Sequence, residues 1–125
     1  RVEGLTFDSG ALIALMRRKQ RMWQLFNHAT NRGVRITVPV VVLAEWWREP
    51  SDFAETLLKA CDVEPMDSQL AKLAGQAVAQ VRGAGTIDAI VMASAARRGD
   101  LVYTSDVDDL TRLQKHFRGV RVLAV

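Results

Sequence analysis

Four acidic side chains stand at positions where they can form a site for a hard metal cation. Asp8 follows an apolar stretch, Glu45 lies among valine, leucine and tryptophan, Asp88 opens a long apolar segment, and Asp106 begins a short run of acids. Two carboxylates about 5 Å apart repel each other by roughly 3 kcal/mol at an effective dielectric near 20. If the acids converge, bound cations or protons must offset this repulsion. Oxygen ligands without a nearby His or Cys favour Mg²⁺ or Mn²⁺ over Zn²⁺, and such ions activate water and neutralise phosphodiester charge.

The elements that must position these acids alternate between short strands and helices. Apolar and β-branched residues predict strands at 5–7 (with Val2 before them), 34–38, 62–64, 101–103 and 120–125. Helical spacing of apolar residues predicts helices at 11–19, 22–30, 40–48, 52–60, 69–82, from about 87 to the Gly99 stop, and 109–117. This alternation favours an α/β fold: one domain, residues 1–125, with a parallel sheet of four to five strands between two layers of helices.

Ligands of open parallel sheets bind beyond the carboxyl ends of the strands, and this rule predicts that the acids share one crevice. Asp8 and Asp106 each fall just after a predicted strand, and Glu45 lies within two helical turns of the second strand's end. Residues 87–96 are apolar on nearly every side, which predicts a helix buried among its neighbours. Asp88, in the first turn of that helix, needs only correct packing to face the crevice.

Each acid also has an ordinary structural explanation. Asp8 is suited to capping the helix that follows it, and Asp88 complements a helix dipole. Glu45 can lie on a solvated face with Arg48 as a weak partner, and Asp106 can be a turn or cap residue. Taken singly, these explanations are as good as a metal site. Taken together, the positions at strand ends favour a site.

The composition is that of an ordinary globular domain and excludes several classes of protein. The apolar fraction is 49%, the charged fraction 25%, and the net charge of +3 favours polyanions only weakly. A single cysteine, Cys61, permits no internal disulfide and fits a reducing compartment. No apolar run approaches the roughly 20 residues of a membrane span, so we expect a cytoplasmic protein. Nucleophile-elbow, P-loop, complete dinucleotide and histidine-ligand motifs are all missing from the sequence.

Four segments, in this order along the chain, resemble motifs of PIN-domain ribonucleases, and in particular those of the toxins of bacterial VapBC toxin–antitoxin modules. They are FDSGAL around Asp8, VLAEWWR around Glu45, IDAIVMASAA around Asp88, and YTSD ending at Asp106. The resemblance covers nearly the whole chain.

The resemblance implies a fold, an activity and a set of residues. The fold is a three-layer α/β/α sandwich, and the activity is Mg²⁺- or Mn²⁺-dependent endonucleolytic cleavage of RNA by a metal-activated water. The acids that match catalytic positions are Asp8, Glu45, Asp88 and Asp106. The expected metal ligands are Asp8, Asp88, Asp106 and Asp109, and the choice between the last two stays open. The expected polar neighbours are Ser9, Thr104 and Ser105.

Partners follow from the same resemblance: an RNA substrate, a VapB-type antitoxin whose tail packs near the site, and a second copy of the chain in a homodimer. The cations that can hold RNA are Arg17, Arg18, Lys19 and Arg21, although cations are also favourable at a helix C-terminus. Two other functions compete. One is a non-catalytic RNA-binding or scaffold domain. The other is a phosphoacceptor receiver-like domain, which would require paired acids after the first strand and a late lysine that this chain lacks.

Overall fold

Strands and helices alternate along the chain, as the sequence pattern predicts, and the strands form one sheet. The computed structural model describes residues 4–125, so Val2 lies outside the described residues. The strands are β1 (Gly4–Phe7), β2 (Arg35–Pro39), β3 (Asp62–Glu64), β4 (Leu101–Thr104) and β5 (Arg121–Ala124). The helices are α1 (Ser9–Met16), α2 (Gln20–Asn31), α3 (Val40–Trp46), α4 (Asp52–Lys59), α5 (Ser68–Gln80), α6 (Thr86–Arg98) and α7 (Val107–Leu113). All neighbouring strands are parallel, which confirms the α/β class with five strands.

The strand order, β3-β2-β1-β4-β5, creates a crevice between β1 and β4. The chain proceeds outward from β1 to β2 and β3, then returns to the other side of β1 to form β4 and β5. Crossovers between parallel strands are right-handed, so those from β1 towards β3 place α1–α4 on one face of the sheet and those from β3 back towards β5 place α5–α7 on the other. The contacts of α1 with α3, and of α6 with α5 and α7, agree with this arrangement. Ligands of such sheets bind where the strand order reverses. Here the two strands at that point lead directly to Asp8 and Asp106.

Helix α6 is buried on most sides, as its apolar composition predicts, and it carries Asp88 to the crevice. Every residue of the segment Ala89–Ala95 is buried. Because α6 leads into β4, its C-terminus lies at the amino edge of the sheet and its first turn lies at the carboxyl edge. Gly99 ends the helix with a φ of 76°, a left-handed conformation that glycine adopts without steric cost.

A polar network holds the far end of α6 in place. Arg98 donates to the buried Asp100 at 2.9 Å, to the Thr6 hydroxyl at 2.8 Å and to Glu64. Glu64 also accepts a hydrogen bond from Ser94 at 2.6 Å. Burial alone would raise the pKa of Glu64, but the Ser94 hydroxyl and two guanidinium groups outweigh it and hold the pKa below its usual value. The network ties α6 to β1, β3 and the start of β4, so it positions the helix that carries Asp88.

Helix boundaries differ from the predicted ones for local reasons. Helix α1 begins at Ser9, directly after its cap, and ends before Arg18, which takes a φ of 57°. Helix α3 ends at Trp46 because Trp47 is extended, three residues before Pro50. No helix among residues 4–125 combines the length and the apolar character needed to cross a membrane.

Candidate functional site

Asp8 is held rigidly at the end of β1. It is only 6% exposed. Its Oδ1 accepts the N–H of Ala11 at 3.0 Å, and its Oδ2 accepts the hydroxyl of Thr104. The capping explanation is therefore correct, but capping occupies only one of the two carboxylate oxygens. Burial raises the pKa of Asp8, and the hydrogen bonds from Thr104 and Ala11 only partly oppose that effect.

Thr104 joins the ends of the two central strands. It is the last residue of β4 and is fully buried. Its hydroxyl donates to Asp8 and accepts the backbone N–H of Asp106 at 2.8 Å. One side chain thus fixes the carboxylate after β1 relative to the loop after β4. This places Thr104, a polar neighbour expected from the resemblance, in direct contact with an acid of the site.

Asp88 is the acid whose pKa is raised by the charges of the other four. It is half-buried in the first turn of α6. Burial and, in decreasing order, the charges of Asp109, Asp106, Asp8 and Glu45 raise its pKa to about 6. Five carboxylates from four separate parts of the chain therefore share one electrostatic field at the carboxyl edge of the sheet. Complementing the dipole of α6 does not require so many carboxylates, so Asp88 stays a candidate metal ligand.

The three remaining acids lie exposed at the rim of the crevice. Glu45 is on α3, Asp106 immediately precedes α7 without capping it through its side chain, and Asp109 is in the first turn of α7. Arg48, the weak partner considered for Glu45, instead donates to the carbonyl groups of Ala44 and Trp47. Within residues 4–125, no hydrogen bond holds the carboxylate of Glu45 or Asp106. These side chains can therefore rotate towards a ligand.

The acids fit a hard cation by the chemistry of their donor atoms, although they are not gathered around one point. Among residues 4–125, no three His, Cys, Asp or Glu side chains are already close enough to hold a metal ion together. Mg²⁺ commonly uses one or two protein carboxylates and completes its shell with water and substrate phosphate. Asp8 and Asp88 are two carboxylates of the kind that such a site uses, and the negative charge around Asp88 is favourable for a cation.

A close contact between α1 and the loop after β4 was not anticipated from the sequence. Gly10, next to Ser9 in the first turn of α1, packs against Ser105, and a methyl group on Gly10 would lie 2.1 Å from the Ser105 hydroxyl oxygen. Only glycine allows the two segments to come this close. The sequence does hint at this contact, because it has a glycine in the first turn of a helix, where most other residues are better helix formers.

The four cations expected to hold RNA lie where α1 ends and α2 begins, from Arg17 to Arg21. The guanidinium of Arg18 lies 4.5 Å from the centre of the Phe53 ring and so belongs to the packing of the fold. Lys19 and Arg21 line a small cavity of about 240 Å³. A different basic residue, Arg112, approaches the acids directly.

Known proteins match the chain over almost its whole length. A family model described as the PIN domain matches residues 5–115. None of the curated proteins matches the chain. Among solved structures, DNA-bound VapBC from Salmonella typhimurium shows a TM-score of 0.70 and 21% identity over 97% of each chain.

Two further structures share the fold. VapBC2 from Rickettsia felis, bound to a promoter DNA fragment, shows a TM-score of 0.73 and 10% identity over 97% of this chain and 98% of that chain. FitAB bound to the IR36 DNA fragment shows a TM-score of 0.69 and 14% identity over 96% of this chain and 94% of that chain. At such identities the likeness is one of fold.

Proposed function

This chain belongs to the PIN-domain family, and we propose that it is a metal-dependent endoribonuclease, the toxin of a type II toxin–antitoxin pair. The observation that carries the proposal is that the charges of four other carboxylates, together with burial, raise the pKa of Asp88 at the point where the strand order reverses. Such repulsion lowers the stability of a domain whose whole stability is of the order of 5–15 kcal/mol. A protein that only binds RNA gains nothing from carboxylates that repel one another, whereas a cation site is built from such carboxylates.

The acids have different parts in the proposed site. Asp8 and Asp88 would hold a divalent cation, with Asp106 and Asp109 completing or tuning the set from the start of α7. When bound, Mg²⁺ or Mn²⁺ would neutralise charge on the scissile phosphate and lower the pKa of a water molecule. Thr104 orients Asp8 by keeping its Oδ2 hydrogen-bonded, which holds that carboxylate at a constant position relative to Asp106.

An apolar groove beside the acids supports the proposal of an antitoxin partner. Helices α3 and α4 leave a groove of about 460 Å³, and its apolar lining residues are Val40, Leu43, Ala44, Trp47 and Leu58. Trp46 packs against the core, whereas Trp47 faces this groove. Because α3 also carries Glu45, a segment bound in the groove would lie next to the site. The VapBC and FitAB structures share the fold over nearly the whole chain. We include a VapB-type antitoxin, a homodimer and a cytoplasmic location in the proposal.

The competing function is an RNA-binding domain without catalysis, which the separated carboxylates favour. Cleavage of a total RNA pool by purified, antitoxin-free protein, with Mg²⁺ or Mn²⁺ and with chelator, distinguishes the two. We expect discrete fragments from the wild type only with metal, and none from Asp8→Asn or Asp88→Asn. Asp108→Asn is the matched control, since it neutralises an exposed acid beside Asp109 and should cleave at the wild-type rate.

Two results would contradict the nuclease proposal. One is metal-dependent cleavage that persists in both site variants at the wild-type rate. The other is a folded wild-type protein that binds RNA equally well with and without metal and cleaves none of it. The second result would establish the non-catalytic binding domain.

A further inference from the structure

A basic cleft lies beside the acids, on the side of the molecule where α5 and α7 end. Its volume is about 480 Å³, and its lining residues are Gln80, Val81, Arg82, Arg112, Lys115 and His116. Three of these side chains are cationic. Arg82 is distant in the sequence from Arg112 and Lys115, and the fold brings it to the same surface as them.

Arg112 connects the cleft to the acidic crevice. Its guanidinium lies 3.5 Å from the Oδ1 of Asp109 and 3.4 Å from the carbonyl oxygen of Gly83. Gly83 belongs to the short loop that leads from α5 into the first turn of α6, where Asp88 lies. The cleft and the crevice are therefore continuous along the surface.

Two of the three positive charges of the cleft form no ion pair within the described part of the fold, and the third is held only weakly. Arg82 and Lys115 are exposed, and within residues 4–125 neither forms an ion pair with an acidic side chain. The contact between Arg112 and Asp109 is long, and both side chains are about half exposed, so it contributes little stability and is easily exchanged for another anion. Arg98, by contrast, is held by two carboxylates beneath α6.

We propose that this cleft binds the phosphate backbone of single-stranded RNA next to the bond that is cleaved. The inference rests on the proposed nuclease function and adds to it the surface that holds the substrate. Nucleotides flanking a phosphate at Asp88 must leave the crevice over its rim, and the acids themselves repel them. Beside Asp109 the rim becomes basic, so Arg112, Arg82 and Lys115 attract successive phosphates along a path out of the crevice. Contacts of this kind position a strand without reading its sequence.

The test compares the double variant Arg82→Gln/Lys115→Gln with the wild type. Binding of a fluorescent single-stranded RNA oligonucleotide is measured by anisotropy, in chelator, over a range of salt concentrations. Each lost phosphate contact removes about 0.7 from the slope of log affinity against log salt for single strands, so we expect the slope to fall by about 1.4. By the same relation the affinity falls about 25-fold at about 0.1 M salt. Arg32→Gln, which neutralises an exposed cation at the opposite edge of the sheet, is the matched control and should change neither quantity.

Cleavage kinetics separate substrate binding from chemistry. In the double variant we expect KM to rise by a factor similar to the loss of affinity, with kcat within about twofold of the wild type, because neither residue touches the acids. The single variant Lys115→Gln should show about half of the change in slope, and it replaces the double variant if that protein fails to fold.

The possible results are distinguishable. An unchanged salt slope in a folded variant overturns the proposal that the cleft binds RNA. Cleavage of RNA by the wild type would still support the proposed nuclease function in that case. Displacement of the labelled RNA by polyglutamate at a lower concentration of negative charge than unlabelled RNA needs would also overturn the proposal, because the cleft would then be a docking surface for an acidic protein. RNA binding that depends on Arg82 and Lys115 in a wild type that never cleaves RNA would support the cleft and refute the nuclease.

Discussion

Replacing Asp88 by asparagine should stabilise the metal-free protein while it abolishes cleavage. The pKa of this carboxyl is raised to about 6, from an ordinary value of 3.8, by burial first and then by the charges of four neighbouring acids. A raised pKa means that the ionised carboxylate is less favourable in the folded state than in the unfolded state. Asparagine keeps the shape of the side chain and removes the charge, so it removes this penalty.

The magnitude follows from the difference between the two pKa values. A shift from 3.8 to about 6 corresponds to about 3 kcal/mol of folding free energy. Because Asp88 is only half-buried and water screens its neighbours, we expect a gain of about 1–2 kcal/mol. The penalty is absent below about pH 3.8, where both states are protonated. It grows as the pH rises from 3.8 to about 6 and is fully present above that, so the gain from asparagine has the same dependence.

Urea unfolding of wild type and Asp88→Asn, in chelator at about pH 7 and about pH 4, measures this effect. The variant should have the higher midpoint at the higher pH and almost the same midpoint as the wild type at the lower pH. Adding Mn²⁺ should reverse the order, because a cation that binds the folded wild type stabilises it through linkage. A variant that is less stable than the wild type at about pH 7 in chelator would refute the argument that the acids repel one another. Asp108→Asn again serves as the control and should change the midpoint little.

Three further substitutions test the parts that position the acids. Gly10→Ala places a methyl group 2.1 Å from the Ser105 hydroxyl oxygen, so we expect a loss of about 1–3 kcal/mol in the free energy of unfolding, measured in urea, and a large loss of cleavage. Gly75 has open space around it, so Gly75→Ala should instead stabilise α5 by about 0.5–1 kcal/mol. Similar effects at both glycines would contradict the close contact between Gly10 and Ser105. Thr104→Val leaves the buried Oδ2 of Asp8 and the backbone N–H of Asp106 unpaired and should cost about 1–3 kcal/mol in the same assay. Thr104→Ser keeps the hydroxyl and should be close to the wild type. Equal losses in the two variants would show that the hydroxyl is not needed. Arg98→Met leaves the buried Asp100 without its cation and leaves Glu64 with Arg97 alone, so it should cost about 3–5 kcal/mol near neutral pH. The part of this loss that comes from Glu64 should fade as the pH falls below about 4.5 and through the lowered pKa of that carboxyl. A loss that is the same at all pH values would indicate packing rather than charge.

The strands could be predicted from the sequence because burial dictates their composition. Strand β1 is buried along its whole length and reads as an apolar run, and the short β3 was predicted at the same residues that the structure gives it. The order of the strands could not be predicted in this way. Local pattern shows that strands are parallel and separated by helices, but it does not show that β4 pairs with β1 rather than with β3.

That pairing decides the geometry of the site. The hydrogen bond from Thr104 to Asp8 joins residues 96 positions apart and exists only because β1 and β4 are neighbours in the sheet. The sequence therefore pointed to the acids as a group, through their positions after strands, without showing how one hydroxyl fixes their relative position. The contact between Gly10 and Ser105 was missed for the same reason, since it too crosses from β1 to β4.

The charges illustrate how a cluster in sequence differs from a cluster in space. The cations from Arg17 to Arg21 are adjacent in sequence and attract attention, yet Arg18 packs over Phe53 and serves the fold. Arg82 and Lys115 are distant in sequence, and each alone would be explained as a cation near the end of a helix. Parallel α/β topology brings such helix ends to defined edges of the sheet, so scattered charges become a surface. The net charge of +3 thus hides two opposed fields, an acidic crevice and a basic cleft beside it, and we expect a polyanion to approach the acids across the basic side.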